Sequence, residues 1–103
     1  MVLNELKKVK GIYYLVEEGH YGLKMILEFE DTEYLYFDSC KFQIKKNETL
    51  NLITSKWTKL EYPELEKDDI YIKEIKVDEA IAYFIRFSNN DILHIYEYVD
   101  GLE

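Results

Sequence analysis

Two stretches of this chain repeat one pattern, an apolar run, a tight polar cluster and a second apolar run, and that pattern leaves the fold little freedom. The first is Leu23 to Phe29, Glu30-Asp31-Thr32-Glu33, then Tyr34 to Phe37; the second is Ile81 to Phe87, Ser88-Asn89-Asn90-Asp91, then Ile92 to Tyr98. Runs rich in Ile, Phe and Tyr favour half-buried strands, and Asn and Asp tolerate the dihedrals of a turn, so each stretch reads as a β-hairpin. Laid over one another without a gap, they pair Leu23 with Ile81, Met25 with Tyr83, Leu27 with Ile85, Phe29 with Phe87, Leu35 with Leu93 and Phe37 with Ile95. Strand side chains alternate between faces, so these pairs define one continuous apolar surface, the expected core. The opposite face is mixed. It carries Lys24, Ile26, Glu28, Glu30, Tyr34, Tyr36 and Asp38 in the first stretch, and Ala82, Phe84, Arg86, Ser88, Ile92, His94, Tyr96 and Tyr98 in the second.

The rest of the chain is read around these hairpins. Val2, Leu3, Leu6 and Val9 fall at helical spacing, which predicts a short amphipathic helix over residues 2–9, ended by Gly11 and held only by packing on a sheet. Ile12 to Glu18 follows as a strand, closed by Gly19-His20-Tyr21-Gly22. Lys41 to Lys45 and Thr49 to Ile53 alternate apolar and polar residues around Lys46-Asn47-Glu48, a further hairpin with Phe42, Ile44, Leu50 and Leu52 pointing inward. Ser55 to Asp69 holds the only Trp, Trp57, and the only Pro, Pro63. It is expected to cross the sheet as a loop or short helix anchored by Trp57, Leu60 and Leu65, with Pro63 in a first helical turn. Ile70 to Val77, Ala80 to Ser88 and Ile92 to Val99 complete a second meander. The expected fold is α+β, a single domain over residues 1–103. Its antiparallel, strongly twisted sheet or partly closed barrel has seven or eight strands, built from two β-meanders, a pseudo-repeat over about residues 11–38 and 70–99. A short N-terminal helix and one crossing helix or loop complete it.

A chain of 103 residues is long enough to hold one core unaided. Its one cysteine, Cys40, forms no internal disulfide and no cysteine metal site, which points to a reducing, cytoplasmic setting. The N-terminus has no secretory h-region, and no apolar run reaches the length of a membrane helix, so no membrane role is expected. The net charge is −8, from 21 acids against 13 bases. Such a body repels phosphate backbones and attracts basic partners, which argues against nucleic-acid binding.

No catalytic constellation emerges, and the chain is expected not to be an enzyme. His20 sits in a glycine-flanked turn, and His94 lies mid-strand with Tyr96 on the same face, a packing position more than a base. Glu28, Glu30 and Asp38 match no calcium loop and lack a histidine partner, so neither a metal nor a cofactor is expected. Cys40 beside Lys41 has no histidine to activate it. Phosphate loops, nucleophile elbows and dinucleotide fingerprints are absent from the sequence. What stands out is charge in patches. Between Met25 and Cys40 lie Glu28, Glu30, Asp31, Glu33 and Asp38 with no base, interleaved with Tyr34 and Tyr36. From Glu61 to Asp69 lie Glu61, Glu64, Glu66, Asp68 and Asp69 against Lys67 alone. Acids mixed with exposed tyrosines form a docking surface for a basic protein, because the field speeds encounter and the rings supply desolvated anchors. The residues assigned to such a partner surface are Glu28, Glu30, Asp31, Glu33, Tyr34, Tyr36, Asp38, Glu64, Glu66, Asp68 and Asp69.

In its small size, acidity, tyrosine content and Glu28 to Asp38 stretch, the chain resembles the small acidic immunity proteins that bacteria make beside polymorphic or contact-dependent toxins. The resemblance implies a cognate toxin as the basic partner, in some cases a nuclease, blocked stoichiometrically by acidic and aromatic side chains that occlude its active site or substrate groove. Two other readings stand beside it. One is a ligand-binding or enzymatic β-domain with His94, Tyr36 and Tyr96 in an aromatic pocket; the other is a structural domain that homodimerises through an edge strand.

Overall fold

The computed structural model describes residues 7–16, 23–38, 41–46, 53–78 and 82–96. Within them lie eight strands and one short helix, in the order β1 (Lys7–Val16), β2 (Leu23–Phe29), β3 (Glu33–Asp38), β4 (Lys41–Lys46), β5 (Thr58–Lys59), α1 (Glu64–Lys67), β6 (Tyr71–Asp78), β7 (Ala82–Phe87) and β8 (Ile92–Tyr96). The sheet is antiparallel in the order β4-β3-β2-β1-β6-β7-β8, with β5 paired to β1. The fold is therefore mainly antiparallel β. Among the described residues the sheet is open, ending at β4 and β8, and does not close into a barrel. It doubles over instead: Phe37 and Phe42 of one half reach the Tyr83 ring of the other, at centroid separations of 5.0 and 5.8 Å.

The two expected hairpins correspond in detail. Asp31 Oδ1 accepts a hydrogen bond from the backbone N–H of Glu33 at 3.1 Å, and Asn89 Oδ1 accepts one from Asp91 at 2.9 Å. The next residues, Thr32 and Asn90, both adopt φ of 71°. Before each hairpin the preceding strand carries a bulge, between Val9 and Gly11 opposite β2 and between Ile72 and Glu74 opposite β7. Glu30 donates its N–H to the Lys8 carbonyl (3.2 Å), as Ser88 donates to Tyr71 (2.8 Å). Lys8 and Tyr71 thus hold equivalent places, and they face each other where β1 and β6 pair. Exchanging the halves returns the same pairing, so an approximate two-fold axis runs through this seam.

The bulges correct the N-terminal reading. Residues 7–9 belong to β1 rather than a helix, and Gly11 lies inside that strand; residues 2–6 are outside the described part. A bulge adds one residue to one strand and so brings positions three apart onto the same face. That is how Val9 and Ile12 are both buried in β1, and Ile72 and Ile75 in β6. The three-residue spacing that imitates a helix is the mark of a bulged strand. Gly11 also leaves room for a ring, since a Cβ there would lie 3.1 Å from Tyr13.

One buried cluster draws on both halves. It holds the inward set expected from the overlay, Met25, Leu27, Phe29, Leu35, Phe37, Tyr83, Ile85, Phe87 and Ile95, with Leu23 and Leu93 packed against it. Ile81 lies outside the described residues. Phe42 and Ile44 also pack on the cluster from β4, which pairs along its whole length with β3. Residues 49–52, with Leu50 and Leu52, are outside the described part, and Ile53 is not in a strand. In the crossing segment Leu60 and Leu65 anchor as expected and Tyr62 joins them, while Trp57 is half-buried in a turn ahead of β5. Pro63 is the N-cap of α1. No helix among the described residues is long and apolar enough to cross a membrane.

Candidate functional site

The two acidic runs, far apart in sequence, meet at the seam. β1 enters it through Lys7 and Lys8, which the bulge and the pairing with β6 hold between the first hairpin turn and the segment after α1. The Lys7 ammonium donates to Asp31 Oδ2 at 2.5 Å and to Glu33 Oε1. That of Lys8 lies 3.2 Å from Glu30 Oε1 and 2.8 Å from Asp69 Oδ1. Four carboxylates therefore share two ammonium groups, and a surplus of negative charge remains. The contacts to Asp31 and then Glu33 raise the Lys7 pKa, and those to Asp69 and then Glu30 raise that of Lys8. The hydrogen bond from Lys7 holds the Asp31 carboxyl below the usual range. Glu64 and Glu66 lie in the first turn of α1, where the helix N-terminus favours acids. Asp68 is the C-cap residue, its N–H donating to the Glu64 carbonyl at 3.0 Å. Asp69 carries the chain on to Lys8.

The remaining predicted partner residues do not join this cluster. Glu28, Tyr34, Tyr36 and Asp38 lie on the outer face of the first half, in rows with Lys45, Gln43 and Lys41 of β4. Tyr34, expected to be exposed, is 6% exposed, and Tyr36 is half-buried with the Lys45 ammonium 4.8 Å from its ring centre. These tyrosines cover their own sheet, because Ile26 is wholly buried between Tyr13 and Tyr36 of the flanking strands. Nor do His94 and Tyr36 share a pocket. They occupy equivalent places in the two halves and line separate surface grooves, and the Tyr96 side chain is outside the described part. His20 and Cys40 are likewise outside it. Among the described residues no three His, Cys, Asp or Glu side chains gather as a metal site requires.

Sequence reasoning passed over Lys7 and Lys8, assigned to the polar side of a helix, and a second clamp at the other turn. Tyr62 donates its hydroxyl to Asp91 Oδ2 at 2.6 Å and accepts from Asn89 Nδ2 at 2.8 Å. Burial, then the bond to Asp91, pushes its pKa up to about 12. Tyr62 also packs on Phe87 with ring centres 5.5 Å apart. Only the three-residue spacing of Val9 and Ile12, read as a bulge, would have put the lysines in a strand. Compared with protein-family models, curated proteins and solved structures, the chain finds no match.

Proposed function

We propose that the chain is a binding protein for a basic partner, acting as an immunity-type inhibitor that neutralises a cognate bacterial toxin by standing over its active site or substrate groove. The observation that carries this reading is the convergence of both acidic runs: Glu30, Asp31, Glu33 and Asp69 crowd onto Lys7 and Lys8, beside a helix bearing Glu64 and Glu66. The role is divided. The turn acids hold the fold through the two lysines, whereas Glu64, Glu66 and Asp68 form no ion pair among the described residues and are the acids to meet a partner. Carboxylates so displayed stand where a nuclease expects phosphates, and a net charge of −8 steers a basic protein toward them.

The test is association kinetics with a basic partner recovered by co-purification, with the product of the adjacent gene as the first candidate. Reversing Glu64, Glu66 and Asp68 to Lys is expected to slow association about tenfold or more at low salt and less at high salt, while the loss of two acids from the first turn of α1 lowers the melting temperature only slightly. Unchanged association rates, or failure of any basic protein to form a one-to-one complex, would count against the reading.

A further inference from the structure

The two-fold relation between the halves gives an internal comparison of their outer faces. In the first half Tyr13 and Tyr36 flank Ile26, which is wholly buried, and Tyr34 beside them is nearly so. The matched registers assign the equivalent places in the second half: Phe84 for Ile26, Lys76 for Tyr13, His94 for Tyr36, Ile92 for Tyr34 and Arg86 for Glu28. The tyrosine cover is not repeated there. Phe84 is half-buried with the His94 ring edge-on at 4.7 Å, and Ile92 is 45% exposed. Together with Glu74 these residues line an open groove of about 300 Å3 that crosses three strands.

The groove is also cationic on an acidic molecule. Arg86, the chain's only arginine, lies in a row with Glu74 and Ile92, and neither its side chain nor that of Lys76 has a hydrogen bond or ion pair among the described residues. We propose that this groove docks an extended segment of a partner protein that carries carboxylates beside an aromatic side chain. The guanidinium fork matches a carboxylate in two-point geometry, which a lysine does not. Phe84 and Ile92 give a ring the floor that Ile26 gives to Tyr13 and Tyr36, so the partner's aromatic supplies the cover that the first half makes from its own tyrosines. The groove accepts charge of the opposite sign to that sought by the acidic seam, and the proposal does not depend on the seam's role.

Two capped pentapeptides test it on the isotope-labelled full chain by NMR titration: alternating Glu and Phe, and alternating Lys and Phe. If overall charge governed binding, a chain of −8 would prefer the lysine peptide. The expected result is the reverse, with shifts centred on Phe84, Arg86 and Ile92 and at least tenfold tighter binding of the glutamate peptide. Arg86→Gln combined with Lys76→Gln, which removes both charges without setting a new carboxylate opposite Glu74, is expected to weaken that binding tenfold or more at an unchanged melting temperature. Arg86→Lys, which keeps the charge and loses the fork, weakens it severalfold. Equal binding of the two peptides, absence of shifts at millimolar peptide, shifts centred elsewhere, or full affinity in either variant overturns the proposal. So does concentration-dependent broadening at Phe84 and Ile92 without peptide, which would assign the groove to a second copy of the chain.

Discussion

Lys7 and Tyr62 do the same work at the two hairpin turns by different chemistry, and their titrations separate them. At the first turn an ammonium bridges Asp31 and Glu33; at the second a phenol bridges Asn89 and Asp91. Since the Tyr62 pKa is raised to about 12, its stabilising effect is complete below the ordinary tyrosine range near pH 10 and is lost as pH rises toward 12. Tyr62→Phe is expected to cost about 1 kcal/mol in urea unfolding at pH 7, and to remove from an ultraviolet titration a tyrosine that ionises near pH 12. The Asp31 pKa is lowered, so its contribution is present above about pH 4 and is lost as pH falls below that. The Asp31 side chain is 47% exposed, so solvent screens the pair and the loss is expected to stay under ~1 kcal/mol. Lys7→Met should flatten the acid limb of the melting temperature measured between pH 6 and 2. The turn residues are legible in the sequence because their bonds span two positions. Their clamps are not, because Lys7 and Tyr62 arrive from strands and segments more than twenty residues away.

At the scale of the element, the hairpins and their inward-facing residues follow from alternation alone, and the failures cluster where alternation breaks. A bulge places Val9 and Ile12 on one face, which a reading by period takes for a helical turn. Tertiary pairing with β2 and β6 then decides the matter against eight residues of weak helix. The outer face is misread for a related reason: a tyrosine reads as exposed unless its neighbours are known to lie flat beneath it, as Gly11 and Ile26 lie in rows beside Tyr13. The paired turns provide a direct prediction. At φ of 71° a β-branched threonine is strained, whereas asparagine visits this region readily. Thr32→Asn, which copies Asn90 into the first hairpin, is expected to stabilise the chain by about 0.5–1 kcal/mol, and Asn90→Thr to destabilise it by a similar amount. Thermal and urea unfolding of both variants checks the sign.

For the molecule as a whole, the decisive fact is that the halves share their core. Leu27 and Ile85 hold equivalent places and both have no exposed surface, so truncating either to Ala is expected to cost about 2–5 kcal/mol. The loss should appear as one unfolding transition by circular dichroism and by Tyr fluorescence, since neither half keeps an apolar face covered by itself. The seam has a consequence for how the chain reaches this state. Each meander is made of neighbouring strands and closes quickly, but among the described residues the seam between them rests on Lys7 with Ile72, Lys8 with Tyr71 and the Val9 N–H bond to the Ile70 carbonyl, contacts that span more than sixty residues. Closing so large a loop costs entropy before the shared core repays it. Docking of two ribbons across the seam is therefore expected to be the slow step of folding. In stopped-flow refolding and unfolding, substitutions at Lys8 and Tyr71 are expected to change the folding rate more than the unfolding rate.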